Sequence, residues 1–161
     1  MRDDTSRTTD NLFRTTIILI MNALHFYNGD RQLEIVFSKF QVQKNKPDFN
    51  DFVSFQINVK HSFVSTSINT ECLDIDLVNF VIDLRKLYKM EVKTVSFVQT
   101  IEKNIEITFN LNELGQILVR VIIRKQIDNI TVVFEYGTDQ SFLPELINEI
   151  EIIINEMGIT N

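Results

Sequence analysis

The stretch that decides the fold is Ser141-Phe-Leu-Pro-Glu-Leu-Ile-Asn-Glu-Ile-Glu-Ile-Ile-Ile-Asn-Glu-Met157, introduced by Asp139-Gln140. Leu143, Leu146, Ile147, Ile150, Ile153, Ile154 and Met157 recur at helical spacing and form one continuous apolar stripe. Ser141 is placed to cap the N-terminus, Pro144 falls in a first turn whose amides lack partners anyway, and Gly158 supplies a stop. Glu145, Asn148, Glu149, Asn155 and Glu156 occupy the other face. Ile152 lies about half a turn from the stripe and should stand exposed among the carboxylates. A helix of this kind is held by what its stripe lies on rather than by its own propensity. The preceding chain must therefore offer a broad apolar surface.

Upstream, the pattern moves between strand and helix spacing. Leu33, Ile35 and Phe37 alternate, and the phase then slips so that Phe40 and Val42 continue it, as a β-bulge produces. Val53, Phe55, Ile57, Val59, His61 and Phe63 alternate with polar residues, giving one buried face and one wet face. A weaker strand runs through Ser65–Glu71. From Asp74 helical spacing takes over at Leu77, Phe80, Val81, Leu84, Leu87 and Tyr88. Asp74 stands at its N-cap and Asp76 in its first turn, with Arg85, Lys86 and Lys89 at the end the helix dipole favours. Val92–Val98, Ile105–Leu111, Ile117–Arg124 and Ile130–Tyr136 follow as strands, with hairpin connections at Asn112–Gly115 and Gln126–Asn129. Ile117–Ile123 is apolar on both phases apart from Arg120, which predicts a central strand covered on both faces. Asn28-Gly29-Asp30 signals a turn and Lys44–Asp51 a polar loop. Thr15–Leu24 suits either a short strand or a turn of helix.

Short connections require antiparallel neighbours, since a parallel crossover needs roughly a dozen residues. The fold class is α+β: a meandering antiparallel β-sheet with two long helices packed on one face. The other sheet face should be partly open, which offers a route to a homodimer. Residues 1–20 read as a poorly ordered leader and residues 21–161 as a single domain.

With 161 residues, 44% hydrophobic and 24% charged, the composition is that of a globular chain rather than a disordered one. The one cysteine, Cys72, excludes an internal disulfide and fits a reducing compartment. Ile17–Met21 is far too short a run to span a membrane, and no small-residue cleavage site follows it, so the expected location is the cytoplasm. Of the net charge of −6, −5 falls in residues 139–161, where Asp139, Glu145, Glu149, Glu151 and Glu156 stand without Lys, Arg or His. The plain reading is a solvated helix face. The sharper one is a patch that attracts a basic partner and repels nucleic acid and anionic membrane.

Catalysis finds little to work with. His25, His61 and Cys72 are dispersed and fall short of the roughly four convergent ligands of a structural zinc. His61, on a buried phase, reads as a core histidine. Cys72 precedes a helix N-terminus, which lowers a thiol pKa, yet no base accompanies it, and a small apolar role is simpler. Asp74-x-Asp76 opens like a calcium loop but lacks that loop's Gly and Glu. The scattered glycines make no phosphate loop, and Arg124-Lys125 is too small a basic cluster for nucleic acid. No catalytic residue, cofactor or metal ligand is assigned. A small enzyme built on a hidden carboxylate pair and a self-associating scaffold stand as alternatives.

Three pieces of the chain carry a likeness: Asp74-Ile-Asp-Leu-Val-Asn-Phe-Val-Ile-Asp-Leu-Arg-Lys-Leu-Tyr88, the strand pair Ile105–Phe109 and Gly115–Val121, and Asp139-Gln-Ser-Phe-Leu-Pro-Glu-Leu-Ile147. Together they resemble the WapI-type immunity proteins, small bacterial proteins that neutralise the C-terminal toxin of a cell-wall-associated polymorphic toxin. The likeness runs from about Phe52 to Gly158. Members often carry Trp before the long amphipathic strand, where this chain has Phe49 or Phe52, and residues 1–20 find no counterpart. The resemblance implies a non-catalytic binding protein whose partner is a basic toxin domain. Its expected contact surface is the acidic face of the last helix: Asp139, Glu145, Glu149, Glu151, Ile152 and Glu156.

Overall fold

The computed structural model describes residues 16–28, 32–44, 50–125 and 128–159. Among them the chain forms β1 (Ile17–Ile20), β2 (Leu24–Tyr27), β3 (Leu33–Gln43), β4 (Phe52–His61) and β5 (Val64–Leu73), followed by helix α1 (Asp74–Tyr88). Then come β6 (Thr94–Val98), β7 (Ile105–Leu111), β8 (Gln116–Lys125), β9 (Ile130–Asp139), a 3-10 turn (Gln140–Phe142) and helix α2 (Leu143–Glu156). The architecture is α+β with antiparallel meanders.

The strands are divided between two sheets rather than gathered in one. β3, β4 and β5 form the first meander, with β1 and β2 end to end along the outer side of β3. β6 to β9 form the second in sequence order. Near the C-terminal end of β5, side chains take backbone groups of its outer edge that a further strand would need. Gln99, fully buried, donates to Thr70 Oγ1 and to the Glu71 carbonyl, both at 2.8 Å, and accepts from the Ile105 amide at 3.0 Å. Glu102 accepts from Thr70 Oγ1 at 2.7 Å and from the Glu71 amide at 2.9 Å.

The expected bulge is present: the β3–β4 register shifts between Ser38 and Gln41, with Lys39 at φ 57°. β1 pairs beyond it and β2 before it, so the slip also divides the outer strand in two. β1 falls within the stretch expected as a leader, whose first fifteen residues lie outside those described, as do Gly29 and Asp30 of the predicted turn. β2 was not anticipated as a strand. At the far end of β4 the chain turns through Ser62 and Phe63. That leaves Phe63 exposed and His61 half-buried beside it (ring centroids 5.8 Å apart), not in the core.

All seven stripe residues of the last helix are buried, and one cluster of buried side chains includes both sheets and both helices. α1 lies over the second sheet, with the Phe80 ring against Phe97 and Phe109. Its stripe is buried from Leu77 to Leu87, whereas Tyr88 is exposed. Two caps sit elsewhere than expected. Asp76, not Asp74, closes the start of α1, accepting from the amides of Leu73 at 3.0 Å and Thr100 at 3.1 Å. Asp139, not Ser141, caps the turn into α2 by accepting from the Ser141 amide at 2.8 Å. β8 is central in its sheet but covered on one face alone, since Leu118, and Val133 on β9 opposite Ile122, are exposed on the other.

Candidate functional site: an acidic cleft between β2 and α2

Alternation along β2 sends Leu24 and Phe26 into the core and leaves His25 and Tyr27 half-buried beside α2. The helix meets this strand with a stripe of its own. Glu145, Glu149, Ile152 and Glu156, spaced four, three and four apart, fall on one flank at the helical period. Glu149 Oε2 accepts from the His25 backbone amide and Oε1 contacts His25 Nδ1, both at 2.9 Å. Tyr27 donates its hydroxyl to Glu145 Oε2 at 3.1 Å, and Asn22 Nδ2 donates to Glu156 Oε1 at 2.6 Å. Ile152 is 39% exposed between them.

His25, Tyr27, Glu34, Glu145 and Glu149 line a cleft of about 550 Å³. Glu34 enters it because β2 and β3 pair Tyr27 with Glu34 directly. Among the described residues no lysine or arginine forms an ion pair with Glu34, Glu145 or Glu149. Three carboxylates facing one opening, with no lysine or arginine paired to them among the described residues, suit a guanidinium or ammonium group from outside, above all the planar fork of an arginine.

The other two residues of the predicted surface are placed elsewhere. Glu151 turns toward α1 and pairs with Arg85. The carboxylate of Asp139 accepts from both the amide and the hydroxyl of Ser141, which hold it below the usual carboxylate range. Sequence reading missed His25, Tyr27 and Glu34. Leu24-x-Phe26 does alternate just ahead of the turn, but over a four-residue strand that is too short a signal to mark β2 and its partner row.

The remaining displaced groups lie in the core. Burial, and then the charges of Asp76, Asp74 and Glu71, push the Cys72 thiol up, opposite to what a nucleophilic cysteine needs. Burial likewise raises the phenol of Tyr136, whose hydroxyl has no hydrogen-bond partner among the described residues. Those residues contain no group of three or more His, Cys, Asp or Glu arranged to hold a metal ion, and no helix long and apolar enough to cross a membrane.

A family model described as "Immunity protein WapI-like family" matches residues 24–158. The match begins well before Phe52, where the resemblance was first placed, and takes in β2 and β3. No curated protein matches the chain. Among solved structures, "Structure of the plant transcriptional regulator PBF-2" is 6% identical at TM-score 0.49, covering 86% of this chain and 90% of that one. WHY1 from Arabidopsis thaliana is 8% identical at TM-score 0.45, again covering 86% and 90%. The Trypanosoma bruciei MRP1/MRP2 structures are 8% identical at TM-score 0.40, covering 88% and 86%.

Proposed function

Because the chain belongs to the immunity protein WapI-like family, we propose that it binds and neutralises a cognate bacterial toxin domain by covering it, with no catalysis of its own. The observation that carries this reading is the family match over residues 24–158. The docking surface is the α2 flank of Glu145, Glu149, Ile152 and Glu156, together with the cleft it makes with Tyr27 and Glu34. Asp139 and Glu151, engaged by Ser141 and Arg85, add to the negative field there rather than to direct contact.

The partner is a basic toxin domain, and the setting is the cytoplasm. A toxin that acts on nucleic acid carries positive charge, so a carboxylate-lined surface raises its rate of encounter. A lysine or arginine of the toxin enters the cleft, while Ile152 supplies apolar contact inside a rim of charge. Net charge of −6 works against nucleic acid or an anionic membrane as the partner.

Co-expression with the toxin domain encoded beside this chain tests the reading. Wild type should restore growth and co-purify with the toxin. The double variant Glu34→Lys, Glu145→Lys should slow association about tenfold or more, because it sets like charges against the incoming base. Failure of wild type to bind or protect would overturn neutralisation. Equal association by wild type and variant would overturn the cleft as the surface while leaving neutralisation in place.

A further inference from the structure

We propose that the free edge of β9 pairs antiparallel with β9 of a second copy of the chain, joining the two second sheets across a two-fold axis. β9 ends its sheet and pairs with β8 alone. The Gln140 amide bonds the Gly115 carbonyl, and the β8–β9 register continues from that pair. Antiparallel alternation then turns the backbone groups of Ile130, Val132, Phe134, Tyr136 and Thr138 toward β8. Those of Thr131, Val133, Glu135 and Gly137 point outward, and among the described residues no hydrogen bond reaches them.

The other sheet has parts of its edges covered by side chains. On the outer side of β2 the Glu149 carboxylate takes the His25 amide, and on the outer side of β5 Glu102 takes the Glu71 amide. Proteins commonly blunt open edges with short strands, lysine or proline. β9 is ten residues long, rich in β-branched residues, and has neither lysine nor proline. Gly137 adds room for a close backbone: a Cβ built there meets nothing within 4 Å.

Side chains select the occupant. In the register centred on Val133, Val133 faces its own copy, Val132 faces Phe134, Ile130 faces Tyr136 and Thr131 faces Glu135. Ile130 and Val133, 51% and 45% exposed, thereby gain apolar neighbours. Centring on Glu135 would set two carboxylates opposite each other, and centring on Phe134 would oppose Val133 to Glu135. Of these three registers, only the one centred on Val133 keeps Glu135 away from a second carboxylate and from valine, a match to itself that an unrelated strand has no reason to share. The contact uses the edge of the sheet and leaves its open face free.

Light scattering of the eluting full-length chain across a concentration series tests this. Wild type should run as a dimer. Val133→Lys should raise the dimer dissociation constant at least about 100-fold, since it places two ammonium groups face to face. Compared at a concentration low enough for wild type to be dissociated as well, its urea midpoint should stay close to that of wild type, because the outer amide of Val133 bonds nothing described within the monomer and its side chain is 45% exposed. Thr131→Lys should remain dimeric, its ammonium meeting the partner's Glu135. Val133→Cys should crosslink on oxidation, the only other thiol, Cys72, being buried. A wild-type monomer at every concentration, or a Val133→Lys dimer as tight as wild type, overturns the proposal. Should wild type be monomeric and Val133→Lys lose toxin binding alone, the edge belongs to a toxin strand and the second copy is wrong.

Discussion

Two edges of this molecule treat their backbones in opposite ways. At β2 the outward amide of His25 is taken by Glu149, a residue of α2 more than a hundred positions away in sequence. At β9 the outward amides of Thr131, Val133, Glu135 and Gly137 are taken by nothing described. The difference teaches what each edge recognises. An edge closed by a carboxylate cannot accept another strand, so what it offers a partner is charge and shape. An open edge offers the backbone itself, and there side chains set register rather than affinity.

The contrast predicts where substitutions hurt. Largest should be Gln99→Leu, on the edge of β5. It strips the Ile105 amide of its acceptor and Thr70 of a donor inside a fully buried site. Stability should fall by about 2–4 kcal/mol in urea denaturation. A loss below about 1 kcal/mol would mean that the division into two sheets does not rest on this side chain.

Next comes Glu149→Ala, expected to cost about 1–3 kcal/mol because it leaves the half-buried His25 amide and ring without an acceptor. Hydrogen exchange should quicken at His25 while the amides of β4 keep their protection. Uniform exchange through both strands would place the cap outside what closes this edge.

The smallest effect is expected at Asp139→Ala, and it should depend on pH. Bonds from Ser141 favour the ionised carboxylate and lower its pKa in the folded state. Its stabilisation is therefore complete above the unfolded carboxylate pKa and is lost as pH falls through the depressed folded value. Melting temperatures of variant and wild type should differ at neutral pH and converge in acid. A gap that stays constant with pH would assign the loss to packing.

Much of this was legible in the chain, for particular reasons. The stripe from Leu143 to Met157 is long and regular, so period alone fixed which face of α2 is buried. The slip after Phe37 is a count of residues, and it located the bulge. Other features are tertiary and leave no periodic trace. β2 is four residues of mixed Leu-His-Phe-Tyr, too short for alternation to stand out. Whether β5 continues into β6 is decided by Gln99 and Glu102 reaching back some thirty positions, which no local pattern records. Exposure on a helix wheel also says nothing of what borders the exposed side. Glu149 and Glu151 looked equivalent in sequence, yet one turns to β2 and the other to Arg85 on α1.

The most direct measurement is stopped-flow association of this chain with its toxin domain, followed from about 50 to 500 mM salt, where the Debye length shrinks from roughly 14 to 4 Å. An acidic docking flank predicts one-to-one association of the protomers, with a rate that falls at least about tenfold across that range. A rate that stays flat with salt, or no association at all, would contradict it.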